Sequence, residues 1–240
     1  MNQLNGFRHP KNADHRPWVL AECPPLLSGI LPADYTRLLA AARVKEFTRG
    51  QVLYIKSDPV REVILLTTGL VKITQTGMDG AEVILRLSVP GDVLGVVGLF
   101  SSGRHGTTAQ AFRLCRTLVW DAPVFKGMAE RLPSLHGNML RILGEYLEDL
   151  EERFREVSTE RVAPRVARQL ARLVESIGRP ADGEVQVSLS RELLAQMTGT
   201  TLFTVSRLLS AWEARGIVRP CREAVTICDF PSLCAIAEGR

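Results

Sequence analysis

Apolar and polar residues follow two different periods along the chain, and the period changes near residue 122. Between residues 44 and 121, short apolar stretches rich in Val, Ile and Leu alternate with Gly, Pro, Asp and Ser at turn positions. Many short strands at such spacing are typical of a closed β-sandwich or barrel. From residue 122 onward, apolar residues recur every three or four positions, as in α-helices. The pattern predicts an α+β fold that begins with a β-roll of the jelly-roll type (a double-stranded β-helix).

A long amphipathic helix is predicted to begin at Pro133, because an apolar stripe continues from there to residue 157 without a break. Such a stripe can cover the β core, or it can pair with the same stripe of a second copy. We favour pairing, because the helix is longer than the barrel it would cover. The predicted dimer interface consists of Leu135, Met139, Ile142, Leu143, Tyr146, Leu150 and Phe154.

Residues 194–209 have the pattern of a helix-turn-helix. Ala195 is small where two helices would cross, and Gly199 follows four positions later, where the turn needs a positive φ. Val205 and Leu208 would face the core from the second helix. Any αα-hairpin with a glycine turn could show this pattern, but here two short strands follow, near residues 217–219 and 224–227. The whole segment therefore predicts a winged helix-turn-helix, which favours DNA binding.

The outward positions of this motif supply the candidate DNA contacts. Arg207 can donate two hydrogen bonds to guanine O6 and N7, and Ser206 or Thr204 can bind either a base or a phosphate. Phe203 can pack on a thymine methyl group, although simple burial between the helices is the alternative. The predicted DNA-binding residues are Ser190, Thr201, Leu202, Phe203, Thr204, Ser206 and Arg207.

Composition and charge narrow the class of protein. The net charge is +4, and residues 161–240 contain 11 Arg and no Lys against eight Asp and Glu. This excess suits a polyanionic partner, although GC-rich codon usage would give the same bias. No apolar run approaches a membrane span, no secretory signal is evident, and five cysteines have no paired spacing. We expect a cytoplasmic protein, with no membrane partner. No phosphate-binding loop, metal-spaced cluster or nucleophile–base pair points to an enzyme or a metal site.

Three segments give the chain a resemblance to a known family. They are residues 90–95 (PGDVLG), 98–100 (GLF) and 204–209 (TVSRLL). In this order they resemble the CRP/FNR family of bacterial transcription regulators over residues 25–235, and residues 200–212 look most like its nitric-oxide-responsive NnrR/DNR branch. The resemblance implies an arm (1–24), a β-roll sensor domain similar to cyclic-nucleotide-binding domains (25–132), a dimerisation helix with hinge (133–160) and a winged helix-turn-helix domain (161–240). It also implies contact with RNA polymerase, usually in activation.

The sequence says less about the effector to which such a regulator would respond. The family's cyclic-nucleotide pocket has a Glu where this chain has Val96, and an Arg-Ser or Arg-Thr pair where this chain has Gly106 and Thr107, so cyclic AMP is not expected. The oxygen-sensing members bind an iron–sulfur cluster through cysteines, and Cys23 and Cys115 are too few for one. Cys221 in the wing is the best redox candidate. The predicted effector-pocket residues are Val93, Leu94, Val96, Val97, Leu99, Arg104, His105, Thr107 and Thr108.

An apolar pocket would also suit a haem, for which the axial-ligand options are His9, His15, His105 and His136. His105 is at the expected pocket mouth, and His9 and His15 are on the N-terminal arm. The same apolar residues could instead be barrel core. We therefore expect a homodimeric, sequence-specific DNA-binding regulator that responds to nitric oxide, haem or redox chemistry, or to no effector. The alternative is a haem- or ligand-binding sensor with weak DNA binding.

Overall fold

The structure is a computed structural model that describes residues 23–78, 80, 82–181 and 183–240. Most of the predicted N-terminal arm, including His9 and His15, lies outside the described residues. The helices are α1 (Pro32–Ala40), α2 (Val96–Leu99), α3 (Ala122–Arg131), α4 (Pro133–Thr159), α5 (Val162–Ile177), α6 (Arg191–Thr198), α7 (Leu202–Ala214) and α8 (Phe230–Ala237). Among them, none is both long and apolar enough to cross a membrane.

The first half of the chain forms the predicted β-roll from two antiparallel sheets. Their strands are β1 (Arg43–Phe47), β2 (Val52–Tyr54), β3 (Glu62–Thr68), β4 (Val71–Thr76), β5 (Glu82–Ser88), β6 (Val93–Leu94), β7 (Thr108–Ala111) and β8 (Cys115–Asp121). One sheet has the order β1-β8-β3-β6 and the other β2-β7-β4-β5. β3 and β8 are buried along much of their length, because one face packs on the second sheet and the other on helices.

The N-terminal half of α4 packs on this β-roll, which corrects part of the predicted dimer interface. Leu135, Met139 and Ile142 are buried in one core cluster with Trp120 and Phe125. Leu143 and Tyr146 are half-buried against the same cluster. The apolar stripe is wide enough for two surfaces, and its periodicity does not distinguish the face on the β-roll from a face that pairs with a second copy. The structure gives one side of that stripe to the β-roll.

The second half of the chain forms the winged helix-turn-helix domain. Its strands are β9 (Arg179–Ala181), β10 (Glu184–Val187), β11 (Val218–Pro220) and β12 (Val225–Ile227), in the sheet order β11-β12-β10-β9. One core, which includes Leu170, Leu194, Val205 and Trp212, joins the helices to this sheet. The predicted fold class is confirmed.

Several side-chain contacts connect the domains besides the chain itself, among them an ion-pair cluster and an apolar contact. At the end of α4, the carboxylate of Glu156 is buried and pairs with Arg172 and Arg168 of α5. On the β-roll, Ile84 and Leu87 of β5 pack into the core of the DNA-binding domain. The orientation of that domain therefore depends on β5 as well as on α4.

Candidate nucleic-acid interface and ligand cavity

Side-chain caps fix the helix ends of the helix-turn-helix. Ser190 precedes α6, and its Oγ accepts a hydrogen bond from the backbone N–H of Leu193 at 3.1 Å. Thr201 precedes α7, and its Oγ1 accepts from the N–H of Thr204 at 3.1 Å. Gly199 ends α6 with φ +57°, a conformation that costs a side-chain-bearing residue about 1 kcal/mol. These three residues fix where α6 begins and ends and where α7 begins.

The predicted outward face of α7 is present. Leu202 and Phe203 are 51% and 75% exposed, whereas Val205 is buried and Leu208 is half-buried in the core. Ser206 is half-buried, and Arg207 is exposed. Arg207 forms no hydrogen bond or ion pair with the other residues that the structure describes. Its guanidinium is thus available to an external acceptor.

Three of the candidate DNA-binding hydroxyls already form hydrogen bonds within the helix-turn-helix. Those of Ser190 and Thr201 cap helices, and Thr204 Oγ1 lies 2.9 Å from Thr201 Oγ1. Sequence reasoning missed Arg165, whose buried guanidinium donates to the carbonyl oxygens of Thr198 at 2.8 Å and Gly199 at 3.5 Å. Arg165 also donates to the nearer carbonyl oxygens of Glu160 at 3.4 Å and Val157 at 3.5 Å. The sequence does not indicate its role in the turn, because Thr198 and Gly199 lie 33 and 34 residues away.

A cavity of about 210 Å³ opens between the β-roll and α4. Gly95 holds one side of it in a left-handed conformation with φ +90°, and a Cβ there would lie 2.7 Å from the carbonyl oxygen of Glu62. Six of the predicted pocket residues line this cavity: Val93, Leu94, Val96, Val97, His105 and Thr107.

Three predicted pocket residues do not line the cavity. Leu99 packs instead against the core cluster beneath α3 and α4. Arg104 is exposed and donates from Nη1 to the carbonyl oxygen of Ser57 at 2.7 Å. Thr108 accepts a hydrogen bond from the N–H of Lys56 at 3.1 Å. Nearness along the chain did not place these residues on one wall, since Leu99 lies in α2, Arg104 in the following loop and Thr108 in β7.

The structure adds charged residues that the sequence did not predict. Arg86 lies over the Tyr146 ring, 3.9 Å from its centroid, and pairs with Asp92 at 3.3 Å. Arg153 of α4 pairs with Asp149 at 2.8 Å and donates to the carbonyl oxygen of Leu85 at 2.9 Å. Both arginines line the cavity. Its wall is therefore apolar with two guanidinium groups, each already bound to a carboxylate.

Burial controls the titration of the groups around the cavity. It raises the pKa of the Tyr146 hydroxyl to about 12, so this residue stays a neutral hydrogen-bond donor. It lowers the pKa of His105, whose ring stacks on Tyr54 with centroids 3.7 Å apart. It raises the pKa of Asp92, although the charge of Arg86 opposes this effect. The cavity thus favours a neutral imidazole at neutral pH.

The strand β5 links the cavity to the DNA-binding domain. In its pairing with β4, Ile73 is opposite Arg86 and Thr74 is opposite Ile84, so Leu85 is the extra residue of a β-bulge. Leu85 and Arg86 line the cavity, whereas Ile84 packs into the other domain. The cavity wall and the core of the DNA-binding domain therefore share one strand.

The exposed face of α4 carries an apolar seam, most of it in the C-terminal half of the helix, which we define as Leu140, Leu147, Leu150, Phe154 and Val157. All five side chains are more than half exposed. They follow one another at steps of seven, three, four and three, the spacing of a coiled-coil seam. Leu150 and Phe154 belong to the predicted interface, and Leu150 also lines the cavity.

Comparisons with known proteins agree with this architecture. The cyclic nucleotide-binding domain family matches residues 44–131, and the Crp-like helix-turn-helix domain family matches residues 164–236. The chain is 25% identical over 210 residues to the CRP-like cAMP-activated global transcriptional regulator of Mycobacterium tuberculosis, covering 87% of this chain and 94% of that protein. It is 28% identical over 188 residues to the transcriptional regulatory protein btr of Bordetella pertussis, covering 77% of each.

A solved structure supports the fold. The c-di-GMP-responsive global regulator CLP of Xanthomonas campestris superposes with a TM-score of 0.72 at 19% identity, over 81% of this chain and 98% of that one. The relatives from Mycobacterium tuberculosis and Bordetella pertussis are both named as transcriptional regulators. Together the two domain families match more than half of the chain, in the order that the structure shows. The chain belongs to the CRP/FNR family of DNA-binding transcription regulators.

Proposed function

We propose that two copies of the chain pair along the α4 seam and bind a two-fold symmetric DNA site, and that a small ligand in the cavity controls this binding. The observation that carries the proposal is the combination of the exposed seam with an exposed recognition helix. The regulator would act in the cytoplasm, where its DNA is, and would contact RNA polymerase as the family resemblance implies.

Pairing along α4 follows from the hydrophobic effect. Five large apolar side chains on one face of a helix are costly to leave in water, and the same seam of a second copy covers them. Leu135, Met139 and Ile142 are already used by the β-roll, so the interface would consist of the seam rather than of the whole stripe.

DNA contact would be made by α7. A recognition helix places its N-terminal residues in the major groove, and Leu202, Phe203, Ser206 and Arg207 occupy those positions. Thr201, Thr204 and Ser190 would contribute through lone pairs that capping leaves unused. In a two-fold dimer the two α7 helices would enter successive major grooves, about 34 Å apart.

The ligand would be small and would not be a cyclic nucleotide. The two cavity arginines are each bound to a carboxylate, so a phosphate would have to displace Asp92 or Asp149. At Val96 the cavity wall is apolar where the family's nucleotide pocket has a carboxylate. The relatives differ in the effectors that their names print, cAMP in one and c-di-GMP in another, so they do not select one for this chain.

A haem does not fit the cavity in this conformation. Pockets for drug-sized ligands measure about 300–1,000 Å³, and a porphyrin is larger than such ligands, whereas this cavity has about 210 Å³. His105 lines the cavity, but its ring is stacked on Tyr54 and only 7% exposed. We therefore propose a compact apolar or aromatic effector, and nitric oxide chemistry stays a prediction of the NnrR/DNR resemblance.

Selection of bound sequences from random duplex DNA by the full-length protein tests the proposal. We expect a two-fold symmetric site whose half-sites are one helical turn apart. The selection is repeated with cyclic AMP, with a nitric oxide donor and with haem, and light scattering gives the oligomeric state in each condition. A protein that stays monomeric at micromolar concentration and enriches no sequence at low salt would refute the proposal. A response to cyclic AMP would refute only its effector part.

A further inference from the structure

The N-terminus of α7 presents two adjacent apolar side chains to solvent. Leu202 and Phe203 are the large apolar side chains that stand exposed among the described residues from 158 to 240. All the other large apolar residues described there are buried or half-buried in the domain core. Folding of the domain does not require this pair, because the core beneath α7 is formed by Val205, Leu208 and Leu209.

We propose that Leu202 and Phe203 contact the C5 methyl groups of thymines in the major groove, so that the operator is read largely through apolar contacts. This inference rests on the proposed function and deepens it by naming the base. Thymine is the only base that presents an apolar group in the major groove. Neither side chain has a polar atom that could bind the edge of another base.

The surroundings of the pair favour DNA over a protein partner. Residues four apart share a helix face, so Ser206 lies on the face of Leu202 and Arg207 on the face of Phe203. Arg207 is exposed and without a counter-charge among the described residues, which suits a polyanion or a guanine edge. The C-terminal domain is basic through arginine alone. Two side chains are also far fewer than the roughly 20–30 residues that each partner contributes to a stable protein–protein interface.

The proposal predicts the composition of each half-site. Two thymines would lie next to a guanine that Arg207 contacts. Phe203 cannot accept a hydrogen bond from cytosine N4, so cytosine gains nothing at that position. Removing one methyl group from the contact should weaken binding about fourfold, and removing both methyl groups of one half-site should weaken it about 15-fold. Both factors follow from the hydrophobic stabilisation that one buried methyl-sized group provides.

Uracil substitution tests the methyl contact directly. Deoxyuridine pairs like thymidine but lacks the methyl group. The duplex selected by the full-length protein is synthesised with dU at each thymine of the half-sites in turn, and Kd is measured by fluorescence anisotropy at one salt concentration. We expect about fourfold weaker binding at two thymines per half-site and no change for dU in the flanks.

Variants connect the effect to the side chains. Leu202→Ala and Phe203→Ala should each abolish the difference between dT and dU at one thymine. Leu31→Ala, which changes an exposed leucine of the β-roll, should leave the difference intact. Phe203→Glu should shift the selected base from thymine to cytosine, because a carboxylate accepts from cytosine N4. Circular dichroism verifies that each variant is folded.

The outcomes separate this inference from the proposed function. Sequence-specific binding without any sensitivity to dU would overturn the thymine contact while the DNA-binding function stands. The same conclusion follows if the double variant Leu202→Ala/Phe203→Ala keeps the full dT/dU difference. Failure of the wild-type protein to select any sequence would overturn both.

Discussion

Truncating one leucine of the α4 seam should weaken the dimer without affecting the fold of the subunit. Leu147 is 56% exposed, and none of its atoms lines the cavity. Fully burying a leucine side chain stabilises by about 1.5–3 kcal/mol, so covering the remaining half contributes about 1 kcal/mol. A two-fold interface contains this residue twice. Leu147→Ala should therefore cost about 2 kcal/mol per dimer, or roughly a 30-fold increase in the dimer dissociation constant.

Sedimentation equilibrium over a range of protein concentrations measures that constant. The matched control is Leu31→Ala, because Leu31 is even more exposed, at 69%, and lies outside the seam. The control should leave the dimer constant unchanged. As a second readout, Leu147→Ala should weaken binding to a full two-fold operator but not to an isolated half-site.

Two results would refute this reasoning. In the first, Leu147→Ala changes the dimer dissociation constant by less than about threefold whereas Leu31→Ala raises it, and the interface would then lie elsewhere. The other is a wild-type protein that sediments as a monomer at every concentration. In either case the exposed seam would need another partner, and the two-fold operator would lose its physical basis.

Three further predictions concern the hinge, the cavity and the turn. Glu156→Gln leaves the guanidinium of Arg172 without its counter-charge. This change should lower the free energy of unfolding, measured by urea titration, by about 2–3 kcal/mol. The loss is smaller than for a fully buried ion pair because the arginine is partly exposed. Because the pKa of His105 is lowered in the folded state, the unfolded state binds the imidazole proton more readily. The free energy of unfolding should therefore fall as the pH drops below about 6.5. His105→Phe should remove that part of the pH dependence of the urea midpoint. Gly199→Ala should lower the free energy of unfolding by about 1 kcal/mol through its positive φ alone, since a Cβ there contacts nothing. In the same assay, Gly144→Ala, in the exposed middle of α4, should raise the free energy of unfolding by about 0.5–1 kcal/mol.

The helix-turn-helix could be predicted from the sequence because its determinants are local. Caps at Ser190 and Thr201 act on backbone N–H groups three residues ahead, and Gly199 acts on its own φ. The spacing of Val205 and Leu208 then decides which face is left outside. Each of these interactions involves residues at most a few positions apart, so the sequence alone predicts it.

The division of α4 between two surfaces could not be predicted in the same way. Its apolar stripe is continuous, and periodicity does not say which neighbour covers which part. The structure assigns Leu135, Met139 and Ile142 to the β-roll, because the Pro25–Leu27 turn and α3 contact the helix there. It leaves Leu147 and Phe154 exposed.

By itself, then, the sequence determined the order of the β-roll, the long helix and the winged helix-turn-helix, since each depends on short-range periods and turn residues. Only the tertiary structure decided the chemistry of the cavity. Arg86 and Arg153 lie 67 positions apart, and they line one wall because β5 packs beside α4. The same strand brings Ile84 into the DNA-binding domain. Contacts between residues so far apart depend on packing, which no local pattern records.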